Sequence, residues 1–93
     1  MSTEGVPKFE AVWRRILNLE GETFHQIRGG AFTFERRGEG LELSRTNQRL
    51  AKSAVKEAFE RAPFRSTTEL RDLRGPSYLY AILMDDRVRQ GEW

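Results

Sequence analysis

The hydrophobic period of this chain changes near Glu22, and that change limits the fold classes open to it. Before the change, apolar residues recur with the spacing of one helical face, at Phe9, Val12, Trp13, Ile16 and Leu17. After it, apolar and polar residues alternate with a period of two, as expected of strands with one buried face. The sequence therefore predicts an α+β fold that begins with a helix and continues into a sheet.

The predicted N-terminal helix covers residues 7–19. Pro7 suits its first turn, because the N–H group that proline lacks would have no helical partner there. Glu10 and Arg14 are four residues apart, in the order that favours a helical ion pair. Gly21 follows the apolar stripe and can adopt the left-handed conformation that ends a helix.

Three short strands are predicted next, separated by glycine-containing turns at 29–30 and 38–40. Their apolar positions should form one face that packs on helices: Phe24, Phe32, Phe34, Leu41 and Leu43. Their polar positions should form the opposite face, toward solvent or a partner: His25, Thr33, Glu35, Glu42 and Ser44. The pattern predicts a three-stranded antiparallel meander.

A second helix is predicted over Asn47–Ala62, with an apolar stripe that begins at Leu50. Thr46 or Asn47 is its expected N-cap, because both side chains can accept a hydrogen bond from an N–H group of the first turn. Pro63 should end the helix, since proline cannot continue the hydrogen-bonding pattern.

Two further segments complete the predicted helical part of the chain. Ser66 and Glu69 have capping-box spacing, so a short helical turn through Leu73 is expected. Tyr78–Met84 is apolar on every side and fits either a buried strand or a helix, and its composition favours the helix. The predicted architecture is an N-terminal helix, a three-stranded antiparallel meander, and then two to three helices packed on one face of the sheet.

Composition excludes several classes of functional site. The 93 residues contain no cysteine and one histidine, which rules out a disulfide scaffold, a thiolate metal site, a cysteine nucleophile and a multi-histidine metal centre. The longest apolar run, Tyr78–Met84, is far shorter than the ~20 residues that span a bilayer, and residues 1–5 lack the features of a secretion signal. We expect a single cytoplasmic domain over residues 1–93, with flexible termini at 1–5 and 90–93 and without cofactor, metal or membrane partner.

Basic residues are concentrated in the middle of the chain. The formal net charge is only +2, but residues 23–56 carry seven lysines and arginines against three glutamates, a net of +4. Residues 44–56 contain four cations and no acid. In the predicted second helix, Arg49, Lys52 and Lys56 lie at i, i+3 and i+7 and would share one face, although Lys52 and Lys56 repel each other there. An anionic partner would explain such an arrangement.

We therefore predict a small nucleic-acid-binding domain whose basic helix edge contacts phosphates, with DNA favoured over RNA. Arginine predominates among the cations, and its planar fork suits phosphate, while Asn47 and Gln48 can contact adenine edges or phosphates. The predicted binding residues are Arg28, Arg36, Arg37, Arg45, Asn47, Gln48, Arg49, Lys52 and Lys56. No residue is assigned a catalytic role, so the prediction is a binding protein rather than an enzyme.

Two other functions agree with the same sequence. The domain could be a protein-interaction or structural module that forms a homodimer or docks a partner through an exposed sheet edge or aromatic face. It could also be a metal-independent ribonuclease toxin, in which arginines would stabilise charge on the RNA. The arginines available for that role are Arg36, Arg37, Arg45 and Arg49. The single histidine, His25, and the adjacent Asp85 and Asp86 are expected to be structural.

Overall fold

The computed structural model describes residues 5–26, 29–44, 48–62, 66–73 and 75–91. Its helices are α1 (Gly5–Asn18), α2 (Lys52–Glu60), α3 (Pro76–Leu83) and α4 (Asp86–Arg89), with a 3₁₀ helix at Thr67–Leu70. Its strands are β1 (Phe24–His25), β2 (Ala31–Phe32), β3 (Phe34–Arg37), β4 (Gly40–Leu43) and β5 (Arg49–Ala51). The predicted α+β class, with an N-terminal helix, a three-stranded antiparallel sheet and several helices, is confirmed.

Helix α1 forms where the apolar stripe predicts it, and its ends differ from the prediction by one or two residues. Val12 and Ile16 on this stripe are fully buried. After Asn18 the chain makes a turn that includes Gly21, whose φ of +86° is the left-handed conformation expected of it. This turn brings the chain alongside the sheet.

The strands form two sheets instead of one. β1 pairs with β2, and a separate antiparallel sheet has the order β3-β4-β5. In the larger sheet, Leu41 of β4 lies between Arg36 of β3 and Leu50 of β5, and Glu42 lies between Glu35 and Arg49. The face with Leu41 and Leu50 is buried and is called the inner face, while the face with Glu35 and Arg49 is exposed and is called the outer face.

The predicted second strand is divided at Thr33, which separates β2 from β3. The N–H of Thr33 donates to the hydroxyl of Ser44 at 2.9 Å, and the N–H of Ser44 donates to the carbonyl of Thr33 at 2.9 Å. These two hydrogen bonds fix Thr33, the residue between β2 and β3, beside the C-terminal end of β4. Both predicted hairpins form, but the strand around Phe24 does not join the three-stranded sheet, which corrects the predicted meander.

The predicted helix over Asn47–Ala62 is wrong in its first part, because Arg49–Ala51 forms β5 and α2 begins only at Lys52. Pairing with β4 places Leu50 fully buried on the inner face. Gly40 permits this pairing, since a Cβ at that position would lie 2.8 Å from the Leu50 carbonyl oxygen. Tertiary pairing thus outweighs the helical preference of the segment.

The core joins the inner face of the sheet to the helices. All five apolar strand positions predicted to face the helices are buried: Phe24, Phe32, Phe34, Leu41 and Leu43. The ring of Phe24 packs on Phe32 and Phe34 with centroids 5.8 and 5.5 Å apart, and Phe32 meets Tyr78 of α3 edge-on at 4.9 Å. These aromatic contacts tie the two-stranded sheet to α3.

The C-terminal segments form the helices that the sequence favours. Tyr78 to Leu83 is helical, with Pro76 in the first turn and Gly75 as the N-cap at φ +67°. The Asp85 carboxylate accepts the N–H of Arg87 at 2.9 Å and so begins α4 instead of ending α3. Within the described ranges, no helix is long and apolar enough to cross a membrane.

Candidate functional site

The structure places the described cations of the predicted site, expected on one helix and the adjoining strand ends, on three elements. Arg36 and Arg37 lie on β3, Arg49 lies on β5, and Lys52 and Lys56 lie on α2. The prediction that Arg49 shares a helical face with the two lysines is wrong, because residue 49 is extended and paired with β4. Only the two lysines share a helix.

The remaining predicted binding residues give little support to a common surface. Arg28, Arg45 and Asn47 lie outside the described residues. Gln48 is half-buried, and its side-chain oxygen lies 3.4 Å from the position that a Cβ on Gly75 would occupy. Its amide therefore packs beside the start of α3 within the fold.

Arg37 is neutralised by acids on the outer face of the sheet. Its Nε donates to Glu42 at 2.8 Å, and a second guanidinium nitrogen lies 3.7 Å from Glu35. The side chains of Arg37, Glu35 and Glu42 are 56%, 69% and 42% exposed, so these pairs contribute little stability. Their effect is local: Arg37 offsets the repulsion between two glutamates that lie directly opposite each other.

Lys52 is engaged in the contact between α2 and α1. Its ammonium lies 3.4 Å from the Glu10 carboxylate and 5.8 Å from the ring centroid of Trp13. The carboxylate and the indole face both attract the cation. The charge of Lys52 is therefore used inside the fold.

Arg36, Arg49 and Lys56 form no ion pair with any acid among the described residues. Arg36 is paired with Leu41, so its side chain lies on the same face of the sheet as Leu41 and on the opposite face from Arg37. Its Nε donates to the carbonyl of Gly38 at 3.3 Å. Arg49 is exposed on the outer face and Lys56 is half-buried on α2. These three cations belong to three different elements.

Arg61 illustrates how other arginines of the chain are used. Its guanidinium donates to both carboxylate oxygens of Asp72, at 2.6 and 2.9 Å, and to Glu57 at 3.0 Å. The hydrogen bonds from Arg61 lower the pKa of Asp72 to about 2. This fork joins the C-terminal end of α2 to the turn after the 3₁₀ helix.

Asp85 and Arg87 form a second structural pair. The guanidinium of Arg87 donates to Asp85 at 2.8 Å and to the carbonyl of Thr23 at 2.8 Å, and it lies 4.7 Å from the Phe24 ring centroid. The hydrogen bonds from Arg87 lower the pKa of Asp85. The Asp85 carboxylate thus orients Arg87, whose guanidinium joins α4 to Thr23 and Phe24.

The hydrogen-bonding pattern of β4 and β5 shows which backbone groups of β5 point outward. The N–H of Leu43 donates to the carbonyl of Gln48 at 3.2 Å, and the N–H of Lys52 donates to the carbonyl of Glu39 at 2.8 Å. Bonded and non-bonded pairs alternate along an antiparallel ladder. Leu50 is therefore bonded to β4, whereas the backbone groups of its two neighbours in β5 point away from β4.

These outward groups form what we call the open edge: the N–H and carbonyl of Arg49 and the N–H of Ala51. No described residue hydrogen-bonds to them, and both residues are exposed. The carbonyl of Ala51 also points outward but serves the first turn of α2, for which Ala51 is the N-cap. Strand β5 therefore ends the sheet with its backbone accessible.

The opposite side of the sheet ends differently, in what we call the closed edge, on β3. The N–H of Gly21 donates to the carbonyl of Phe34 at 3.1 Å, and the N–H of Arg36 donates to the carboxylate of Glu20 at 2.9 Å. The turn after α1 thus bonds the outward carbonyl of Phe34 and the outward N–H of Arg36, and it lies along this edge.

Comparisons of the chain with protein-family models, with curated proteins and with solved structures found no match. The geometry of the described residues is therefore the basis for assigning a function.

Proposed function

We propose that this domain is a protein-interaction module that binds an extended segment of a partner at the open edge of β5. The observation that carries the proposal is the contrast between the two ends of the sheet. The N–H and carbonyl of Arg49 and the N–H of Ala51 form no bond with a described residue, whereas the carbonyl of Phe34 and the N–H of Arg36 on β3 are bonded to the turn after α1. An added strand would supply the missing hydrogen bonds.

The chemistry around the open edge supports an extended segment with an acidic residue. The side chain of Arg49 projects from the outer face beside the edge and forms no ion pair with a described acid. A carboxylate opposite Arg49 on the added strand would form a favourable cross-strand pair. Because β5 has three residues and each hydrogen bond contributes about 0.5–1.5 kcal/mol, we expect affinities in the micromolar to millimolar range.

Ala51→Pro is a selective test of the open edge. Ala51 has φ −69° and ψ 149°, which proline adopts without strain, and its N–H makes no bond to β4. The substitution removes an outward donor while it keeps the fold and the charge of Arg49. Ala51→Ser is the matched control, because it retains the N–H at the same exposed position.

The proposal can be tested by selecting random peptides displayed on phage against the unmodified chain. We expect enriched peptides with an acidic residue in an extended segment, binding Ala51→Ser as well as the unmodified chain and binding Ala51→Pro at least tenfold more weakly. Equal binding to all three proteins, or no enrichment, would reject the open edge as the binding site.

Nucleic-acid binding is a second candidate function, supported by the absence of described ion pairs at Arg36, Arg49 and Lys56. Ion pairing of Arg37 and Lys52 leaves fewer cations than the sequence offers, so we expect few phosphate contacts. The slope of log K against log salt should then be about −2 to −3 for duplex DNA.

Fluorescence anisotropy with a labelled DNA duplex at low and physiological salt measures this slope. Lys56→Ala should weaken binding severalfold, whereas Arg71→Ala, which removes one exposed cation from the turn after the 3₁₀ helix, should leave it unchanged. Lack of DNA binding at low salt would exclude this candidate. Equal losses of affinity in both variants would mean that the binding depends on the overall charge and not on Lys56.

A further inference from the structure

We infer that a second copy of this chain is an occupant of the open edge, through two-fold antiparallel pairing of β5 with β5 centred on Leu50. The inference rests on the proposed function and adds a second copy of the chain, whose β5 has no acidic residue, as an occupant of the same edge. Pairing of this kind would join the two three-stranded sheets into one continuous six-stranded sheet.

The open edge is complementary to itself in this register. Arg49 and Ala51 flank Leu50, so a two-fold axis at Leu50 places Arg49 of one copy opposite Ala51 of the other. The N–H of each Ala51 then meets the outward carbonyl of Arg49 in the other copy, and symmetry makes this bond twice. The N–H of each Arg49 meets the carbonyl of the opposing Ala51, which has a second lone pair beyond the one used by α2.

Charge favours this register over its neighbour. A two-fold axis at Arg49 would place two guanidinium groups directly opposite each other, which destabilises a cross-strand pair. With the axis at Leu50, each Arg49 instead faces the small methyl group of Ala51. On its other side each Arg49 keeps Glu42 of its own chain as the opposite residue in the ladder.

The length of β5 sets the expected strength of the pairing. A three-residue edge buries far less surface than the roughly 800 Å² per partner found in stable complexes. The dimer should therefore form with increasing protein concentration and dissociate on dilution. We expect it to be populated at about 1 mM and largely absent at about 10 μM.

Sedimentation or light scattering of the full chain over this concentration range tests the pairing. We expect the mean mass to rise toward that of two chains for the unmodified protein and for Ala51→Ser, and to stay that of one chain for Ala51→Pro. Circular dichroism confirms that the proline variant is folded. A single-chain mass throughout, or equal association of Ala51→Pro, overturns the inference.

Cross-linking tests the register independently of the proline variant. Because the chain has no cysteine, Arg49→Cys and Ala51→Cys chains can be mixed and oxidised without competing thiols. The mixed disulfide should exceed either like-with-like product severalfold. A product dominated by two Arg49→Cys chains overturns the register centred on Leu50.

Different results reject the second copy as the occupant and the open edge as a binding site. If the chain stays monomeric but binds selected peptides in a manner that Ala51→Pro abolishes, only the second copy is rejected as the occupant. If neither association nor peptide binding responds to Ala51→Pro, the open edge itself is rejected as a binding site.

Discussion

The two edge strands of the three-stranded sheet are similar, but only one of them has outward backbone groups bonded to another segment of the described chain. An arginine on each end strand, Arg36 on β3 and Arg49 on β5, has an outward backbone N–H. The N–H of Arg36 is bonded to Glu20, whereas that of Arg49 is bonded to no described residue. The difference comes from the chain segment that runs alongside each strand and not from the composition of the strand.

The largest expected loss of stability comes from Gly40→Val, which disrupts the pairing of β5 with β4. Any Cβ at residue 40 lies 2.8 Å from the carbonyl oxygen of Leu50, so β4 and β5 must separate. We expect a loss of about 3 kcal/mol in the free energy of unfolding, measured with urea. Ala31→Val, at an exposed position of β2, is the control and should change stability by less than about 0.5 kcal/mol. Equal effects would disprove the close approach of the strands.

A smaller loss of stability is expected for Gly75→Ala, which disturbs the packing of α3 against Leu50 of β5. Residue 75 has φ +67°, and its Cβ would lie 3.0 Å from the Leu50 side chain. The left-handed backbone alone costs about 1–2 kcal/mol for alanine. Gly38→Ala carries the same backbone cost at φ +57° but meets no atom within 4 Å. In thermal unfolding, the Tm of Gly75→Ala should be lower than the Tm of Gly38→Ala. The reverse order would contradict the close packing of residue 75 against Leu50.

Glu20→Ala should open the closed edge at Arg36, while the bond from Gly21 to Phe34 remains. The N–H of Arg36 loses its carboxylate acceptor, and we expect a loss of about 0.5–1 kcal/mol because the site is exposed. Hydrogen exchange of the Arg36 amide should become faster in the variant, while that of the Leu50 amide should not change. An unchanged rate at Arg36 would mean that Glu20 does not protect this edge.

The smallest expected effect concerns α2, which follows β5 and is joined to the next turn by Arg61 and Asp72. The folded-state pKa of Asp72 is lowered from 3.8 to about 2, so its contribution to stability is present above about pH 4 and disappears as the pH falls through about 2. Asp72→Asn should therefore be less stable than the unmodified chain at pH 7, and most of this difference should be lost by about pH 2. Urea unfolding at both values measures this, and a constant difference would contradict the pairing.

Much of the fold could be predicted from local patterns. The stripe of α1, the apolar positions of the hairpins and the helical composition of Tyr78–Leu83 each depend on side chains within one segment. Strand β5 could not be predicted in this way, because Leu50 is extended only through its pairing with Leu41 in another part of the chain. The apolar residues that follow Leu50 fit a helical stripe equally well, and only the bare backbone of Gly40 hinted at a close neighbour.

The candidate site was less predictable for the same reason. The sequence alone grouped Arg49, Lys52 and Lys56 by their spacing in an assumed helix, but strand β5 separates Arg49 from the two lysines. It also could not show that Glu10, distant in sequence, would bind Lys52. The turn after α1 runs alongside β3 and leaves β5 as the open edge. No local sequence pattern indicates the path of this turn.

The indole ring of Trp13 lies under the ammonium of Lys52, the residue that directly follows β5. A strand docking on Ala51 would steady the first turn of α2 and alter the electric field at that ring. The protein thus carries its own optical reporter for events at the edge. Replacing Trp93 by phenylalanine would isolate that emission, so that occupancy could be followed without an attached dye.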